Sequence, residues 1–245
     1  KVSFADVRIG DVGTGSYNMT GGQFIVTPRT TNDFAIIGNH GDGTFNQSGG
    51  VLVIQNEVHV SDFPGDPINS LPPSIGNLNI TGGQFFATND LVAIGRYALG
   101  EMTVSNATAV LTNTSVGRHD TGVGTLTVQN NGNVFMIADL SIGRLTNSTG
   151  HVFVNGGLLS LTNDDLWVGR GGSGDMTVAA GTVRARTAPR PSARRTWGSG
   201  WSEGRRYSVQ AQASGAHVAS LGAAFERRLH HPARRRHPES RTRHP

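Results

Sequence analysis

The chain has no cysteine, few aromatic residues and little charge: 7% of its 245 residues are Phe, Trp or Tyr and 16% are Asp, Glu, Lys or Arg. Lack of cysteine excludes a disulfide scaffold, a thiolate zinc site and a cysteine nucleophile. No stretch approaches the roughly 20 apolar residues needed to cross a bilayer as a helix, and there is no signal-peptide apolar region. A Gly-x-Ser-x-Gly elbow, a phosphate loop and a dinucleotide fingerprint are also missing. The first residue, Lys1, fits a mature form or an excised fragment, so location has to be inferred indirectly. Abundant instead is glycine, at 34 residues.

A net charge of +4 conceals two compositional regimes. Residues 1–187 carry 9 Lys or Arg against 14 Asp or Glu, and residues 188–245 carry 12 against 3. All 17 asparagines lie in the first part. The high isoelectric point therefore belongs to the tail, whose Arg194-Arg195, Arg205-Arg206, Arg227-Arg228 and Arg234-Arg235-Arg236 runs lack the interleaved aromatics of a specific nucleic-acid reader. No specific nucleic-acid partner is expected. The break in composition is what a shifted reading frame would produce. Alternatively the tail is a true cap, irregular or partly helical, with Val218, Leu221, Phe225 and Leu229 on one amphipathic face.

Within residues 1–187 a unit of about 25 residues recurs seven times. A short apolar strand, such as Asp90-Leu-Val-Ala-Ile-Gly95 or Asp139-Leu-Ser-Ile-Gly143, is followed by a Gly-rich turn and an alternating strand. A small-residue corner and a third apolar strand complete the unit. The corners Thr20-Gly-Gly, Ser48-Gly-Gly, Thr81-Gly-Gly, Ser105-Asn-Ala, Asn130-Asn-Gly, Asn155-Gly-Gly and Ala179-Ala-Gly are 28, 33, 24, 25, 25 and 24 residues apart. The middle strand carries apolar pairs: Tyr17/Met19, Leu78/Ile80, Met102/Val104, Leu126/Val128, Val152/Val154 and Met176/Val178. Phe45/Gln47 is the imperfect member. From the preceding strand-ending Gly to the first of each pair is 7 residues in units 1, 2, 4 and 7 and 9 in units 5 and 6. An even difference keeps the pleat in phase, because strand side chains alternate with period two.

Three short strands per unit, with no helical periodicity, predict a single-stranded parallel β-helix of about seven coils over 1–187, followed by a basic non-repeat tail over 188–245. Coils must stack to satisfy their backbone donors and acceptors, each adding about 4.8 Å of rise. Gly and Asn are expected at corners of positive φ. The open ends favour continuation, capping or end-to-end self-association.

Gly117-Arg-His-Asp-Thr-Gly-Val-Gly-Thr-Leu-Thr-Val128 and Gly169-Arg-Gly-Gly-Ser-Gly-Asp-Met-Thr-Val178 resemble the "VG-xx-G-x-GTLTV" core of the autotransporter-type and PEP-CTERM-associated β-helix repeats of bacterial surface and secreted proteins. The resemblance covers about residues 5–183. It implies a secreted or surface-displayed passenger or matrix protein and carries no catalytic motif.

Equivalent side chains of stacked coils form columns, the natural unit of function here. Asp6, Asp33, Glu57, Asp90, Asp139 and Asp165 precede the first strands as an acidic column interrupted by Thr114. Carboxylates one rung apart approach the roughly 5 Å separation of retaining glycosidases. They also suit Ca²⁺, weakly, or simply close turns. Arg96, Arg118, Arg144 and Arg170 follow the first strand in the last four units as a basic column. Such a stripe repels itself unless it is paired, with Glu101, Asp120 or Asp175 at hand, or holds an anionic ligand such as a uronate or sulfate. A third column is the polar outer face of the middle strand, from Ser16/Asn18 through Thr125/Thr127 to Asp175/Thr177. The unit-three insertion, Asp62 to Ser74, is Pro-rich and should project as a loop, with Phe63 available to stack on a sugar and Asp66 beside it. The four histidines before residue 188 are scattered without metal-ligand spacing, so no metal site is expected.

The expected function is an extracellular module that binds polysaccharide or serves as surface matrix. The ligand residues are Arg96, Arg118, Arg144, Arg170, Phe63 and Asp66. The alternative is a carbohydrate-active enzyme, a glycoside hydrolase or polysaccharide lyase, with Glu57, Asp62 and Asp90 as catalytic carboxylates. No cofactor is expected, with only weak support for Ca²⁺, and a lyase acting on uronates would also need a cation or an Arg to stabilise the developing carboxylate charge.

Overall fold

A computed structural model of the chain describes residues 1–30, 33–162, 165–185, 210–213 and 219–220. The described residues form a parallel β-solenoid of about seven coils with no helix among them. Each coil contributes one strand to each of three faces. The first face is a seven-stranded sheet of three-residue strands: Val7–Ile9, Ala35–Ile37, Val58–Val60, Val92–Ile94, Thr114–Val116, Leu140–Ile142 and Leu166–Val168. The second begins with Gly15–Met19 and Gly43–Gln47, and the third with Val2–Phe4, Gln23–Val26 and Val51–Ile54. In the last two coils these faces run together as Thr149–Leu161 and Ser173–Ala185.

Pleat phase decides what is buried. The middle-strand residues Tyr17, Phe45, Leu78, Met102, Leu126, Val152 and Met176 stand directly above one another, as do Met19, Gln47, Ile80, Val104, Val128, Val154 and Val178. Both columns point inward, as the even spacing requires. On the first face the two end residues of each strand point inward, which is why Ile94, Val116 and Ile142 are fully buried. Gln47 is also fully buried. Its Nε2 donates to the carbonyls of Gly50 and Gln84, at 3.1 and 3.0 Å.

The corners use left-handed backbone, as predicted: φ is 76° at Gly22 and 80° at Gly50, and Asn106, Asn130 and Asn131 take the same conformation. Unit three ends its first strand on Ser61 at φ 71°, the conformation Gly adopts in the other coils. A second glycine column went unrecognised in the sequence. Gly15, Gly43, Gly76, Gly100, Gly124, Gly150 and Gly174 stand in one ladder at the start of the second face. Each from Gly43 onward lies against the hydrogen bond that links two coils at the first corner. A Cβ on Gly124, for example, would fall 2.1 Å from the Ile94 oxygen and 2.3 Å from the Gly117 nitrogen, which are themselves hydrogen-bonded at 2.8 Å.

Beyond the last coil, Gln210–Ala213 and Ala219–Ser220 pair antiparallel with Ser173–Ala185 and cover part of its edge. The helical face expected at Val218, Leu221, Phe225 and Leu229 lies outside the described residues. No described helix is long and apolar enough to cross a membrane.

Candidate functional site

The acidic column is not continuous, because register is set by the inward apolar pairs and not by the preceding acid. Val7, Ala35, Val58, Val92, Thr114, Leu140 and Leu166 stand level. The residues just before them are therefore Asp6, Phe34, Glu57, Leu91, Asn113, Asp139 and Asp165. Asp33 and Asp90 sit one residue early, and the corner takes up the extra residue. The rung-by-rung carboxylate pair expected of Glu57 and Asp90 does not form: Leu91 stands level with Glu57. Most of these acids accept backbone N–H groups, Asp33 and Asp90 within their own corner and Asp6 and Asp139 from the next coil. Asp6 accepts from Phe34 at 3.2 Å, Asp33 from Arg29 and Thr30, Asp90 from Leu91 at 2.8 Å and Asp139 from Asp165 at 2.9 Å.

Glu57 does something else. His59, fully buried at the centre of the same strand, places Nε2 2.7 Å from Glu57 Oε2 and Nδ1 3.5 Å from Asp62 Oδ2, and it stacks on Phe34. Arg96, one coil on, reaches back to Asp62 Oδ1 at 2.7 Å. The hydrogen bond to His59 holds the Glu57 carboxyl below its usual range. At Asp62 burial pushes upward, but the hydrogen bonds from His59 and Arg96 and their charges win, and its carboxyl is also lowered. The insertion is therefore tied to the first face at its root. At its tip Asp66 accepts from the Ile68 and Asn69 N–H groups and from the Asn69 amide, and near its root Phe63 packs on the His40 ring of the preceding coil with centroids 4.6 Å apart. Both residues proposed for ligand contact in this loop thus already have structural partners.

The basic column aligns over Arg96, Arg118 and Arg144, whereas at the next rung Gly171 and not Arg170 donates to the Gly143 carbonyl. Arg118 N–H donates to the Gly95 carbonyl and Arg144 N–H to the Gly117 carbonyl, which places successive arginines one rung apart. None of these arginines pairs with Glu101, Asp120 or Asp175. Arg96 takes Asp62, Arg144 Nη1 donates to Ser115 Oγ at 3.3 Å, and Arg170 lies over the Trp167 ring at 5.1 Å. Arg118 has no ion pair among the described residues, and its Nε and Nη1 are buried without a hydrogen-bond partner. Burial first, then the neighbouring Arg144 and Arg96 charges, lower its pKa, with Glu57 opposing them. Burial and Arg170 do the same at Arg144, against Asp139.

These side chains enclose a groove of about 430 Å³ on the first face. One margin is basic: Arg118, Arg144 and Arg170. The other is acidic and amide: Glu57, Asp90, Asn113 and Asp139. The floor is made by small residues at the centres of the strands, Ser115 and Ser141, in line with Ala93. This floor is what the sequence reading missed. The signal was present: the centre of the first strand is Ala, Ser and Ser in units 4 to 6, where Arg follows the strand, but Arg8 and Ile36 in units 1 and 2. The outer middle-strand column contributes a separate amide ladder, with Asn46 donating to Asn18 and Asn79 to Asn46, both at 2.9 Å.

Among the described residues no three His, Asp or Glu side chains converge as a metal-holding group. No protein-family model, curated protein or solved structure matches the chain, so the reading of the groove rests on its own geometry.

Proposed function

We propose that the chain is an extracellular β-solenoid module that binds acidic polysaccharide in the groove of its first face. The observation that carries this reading is Arg118, a partly buried guanidinium with two unpartnered nitrogens and cationic neighbours above and below. An arrangement of this kind is stabilised by a bound anion, and the planar fork of donors suits a carboxylate or sulfate. The extracellular setting follows the resemblance of residues 5–183 to surface and secreted repeat proteins.

Charge reversal tests it. The double variant Arg118→Glu/Arg144→Glu should lose at least tenfold in retention on pectate, alginate or a sulfated glycan and remain unchanged on neutral xylan or cellulose. Equal loss on both classes, or no retention of the unaltered protein on any acidic glycan, overturns the proposal.

A second reading is favoured by Glu57, Asp90 and Asp139 lining the same groove as Arg118 and Arg144, which is the composition of a carbohydrate-active enzyme. A glycosidase acid must hold its proton near neutrality, whereas Glu57 and Asp62 are both lowered. Reducing-sugar release from the same polymers, with and without chelator, separates binding from turnover. Release abolished by Asp90→Asn or Glu57→Gln in a folded protein would establish the enzyme.

A further inference from the structure

On the reading of the groove just given, we infer that its ligand is a linear polyuronate lying along the solenoid axis, one carboxylate per coil, held by Arg118, Arg144 and Arg170, and that Asp62 ends this track before Arg96. The direction follows from the construction of the site. Arg118 and Arg144 leave the backbone one coil, about 4.8 Å, apart along the axis, and Arg170 from the next coil lines the same groove; an extended (1→4)-linked pyranose advances its chain by about one such rung. A ligand crossing the groove would meet one arginine, and a ligand running along it meets all three.

The two margins select the chemistry. A polyphosphate would face Glu57, Asp90 and Asp139 across the groove and be repelled. A uronate chain presents carboxylates on its acidic substituents and hydroxyl donors elsewhere, and the opposite margin is a row of acceptors with Asn113 among them. The small floor of Ser115 and Ser141 leaves room for a ring beside the guanidinium groups.

The track has a definite length. Arg96 belongs to the same column, but its Nη1 is already 2.7 Å from Asp62 Oδ1, and the guanidinium lies over the Tyr97 ring. The insertion that brings Asp62 to this place occurs in unit three alone. Arg118, Arg144 and Arg170 have no carboxylate within ion-pair distance among the described residues. Three cations therefore remain for the ligand, and the fourth is neutralised from within.

Calorimetric titration of the full chain with oligogalacturonates and oligomannuronates of one to six residues tests the count. Affinity should rise roughly three- to tenfold per residue up to the trimer, and then level off. Arg170→Gln should move the break to two residues, and Arg96→Gln should leave it at three. Asp62→Asn, which releases Arg96, should move it to four; Arg170→Gln still decides the matter if that variant fails to fold. A smooth rise with no break, a break unmoved by Arg170→Gln, or a break lowered by Arg96→Gln overturns the axial track while leaving acidic-polysaccharide binding intact. No binding at any length in either series overturns the polyuronate track, and absence of retention on a sulfated glycan as well overturns both.

Discussion

Replacing Gly124 by alanine should be among the most damaging single changes available in this solenoid, although it adds one methyl group. Gly124 does not need a left-handed backbone; it needs the absence of a side chain. Its Cβ would lie 2.1 Å from Ile94 O, 2.3 Å from Gly117 N and 2.9 Å from Val116 C, all of them backbone atoms that no rotamer change can move. The first two are acceptor and donor of the 2.8 Å hydrogen bond that ties the fifth coil to the fourth at its corner. Relief requires the corner to move outward by about 1 Å or more, which breaks that bond and strains the ladder on either side. A buried donor and acceptor left unmade cost about 1–3 kcal/mol, and overpacking a close-packed interior costs about 1–3 kcal/mol more. The expected loss is therefore about 2–6 kcal/mol, a large share of a marginal stability of roughly 5–15 kcal/mol. Gly21→Ala is the internal control, since a Cβ there meets nothing within 4 Å. It should shift stability by less than about 1 kcal/mol, in the stabilising direction if the unfolded chain loses freedom. Urea unfolding followed by far-UV circular dichroism compares the two variants, and amide exchange at residues 94 and 117 locates the damage, since coils couple mainly to their neighbours. A Gly124→Ala protein within about 1 kcal/mol of Gly21→Ala would refute the steric account of the glycine column.

Two other outcomes follow from the structure. Glu57 and Asp62 are both lowered in the folded protein, so unfolding takes up protons once the pH drops below their ordinary values of 4.5 and 3.8. Their contribution is complete above those values and drains away as the pH falls toward the lowered native ones. Melting temperature measured from pH 7 to pH 2 should fall less steeply below pH 4.5 in Glu57→Gln than in the parent, from a lower starting point because His59 loses a partner; parallel curves would remove the linkage. At the corner residue Asn131, held at φ 61°, alanine should cost about 1 kcal/mol and glycine nearly nothing. Equal destabilisation by the two would mean that the Asn131 side chain, and not its backbone conformation, is what matters there.

Much of the architecture was legible because its determinants are local. Pleat phase depends only on parity, so Leu126 and Val152 could be assigned to one inward column even though their turns differ in length from those of units 1 and 4. Asn106 and Asn131 could be assigned left-handed corners because their side chains tolerate that backbone wherever it occurs. Rung height is different. A corner can absorb one residue without disturbing the strands, so Asp33 and Asp90, which align by eye with Glu57, slip off its column while Phe34 and Leu91 take the places level with it.

The amino-acid order alone thus determined a stacked parallel coil, its number of turns, which strand residues point inward, and an arginine on each of the last four rungs. Only the tertiary structure decided which of those arginines are free. Asp62 and Arg96 are 34 residues apart in the chain and meet because an insertion in one coil folds against the next, whereas Arg118 meets no carboxylate among the described residues. Charge compensation depends on distances through space between side chains of different rungs, and no period in the sequence encodes those.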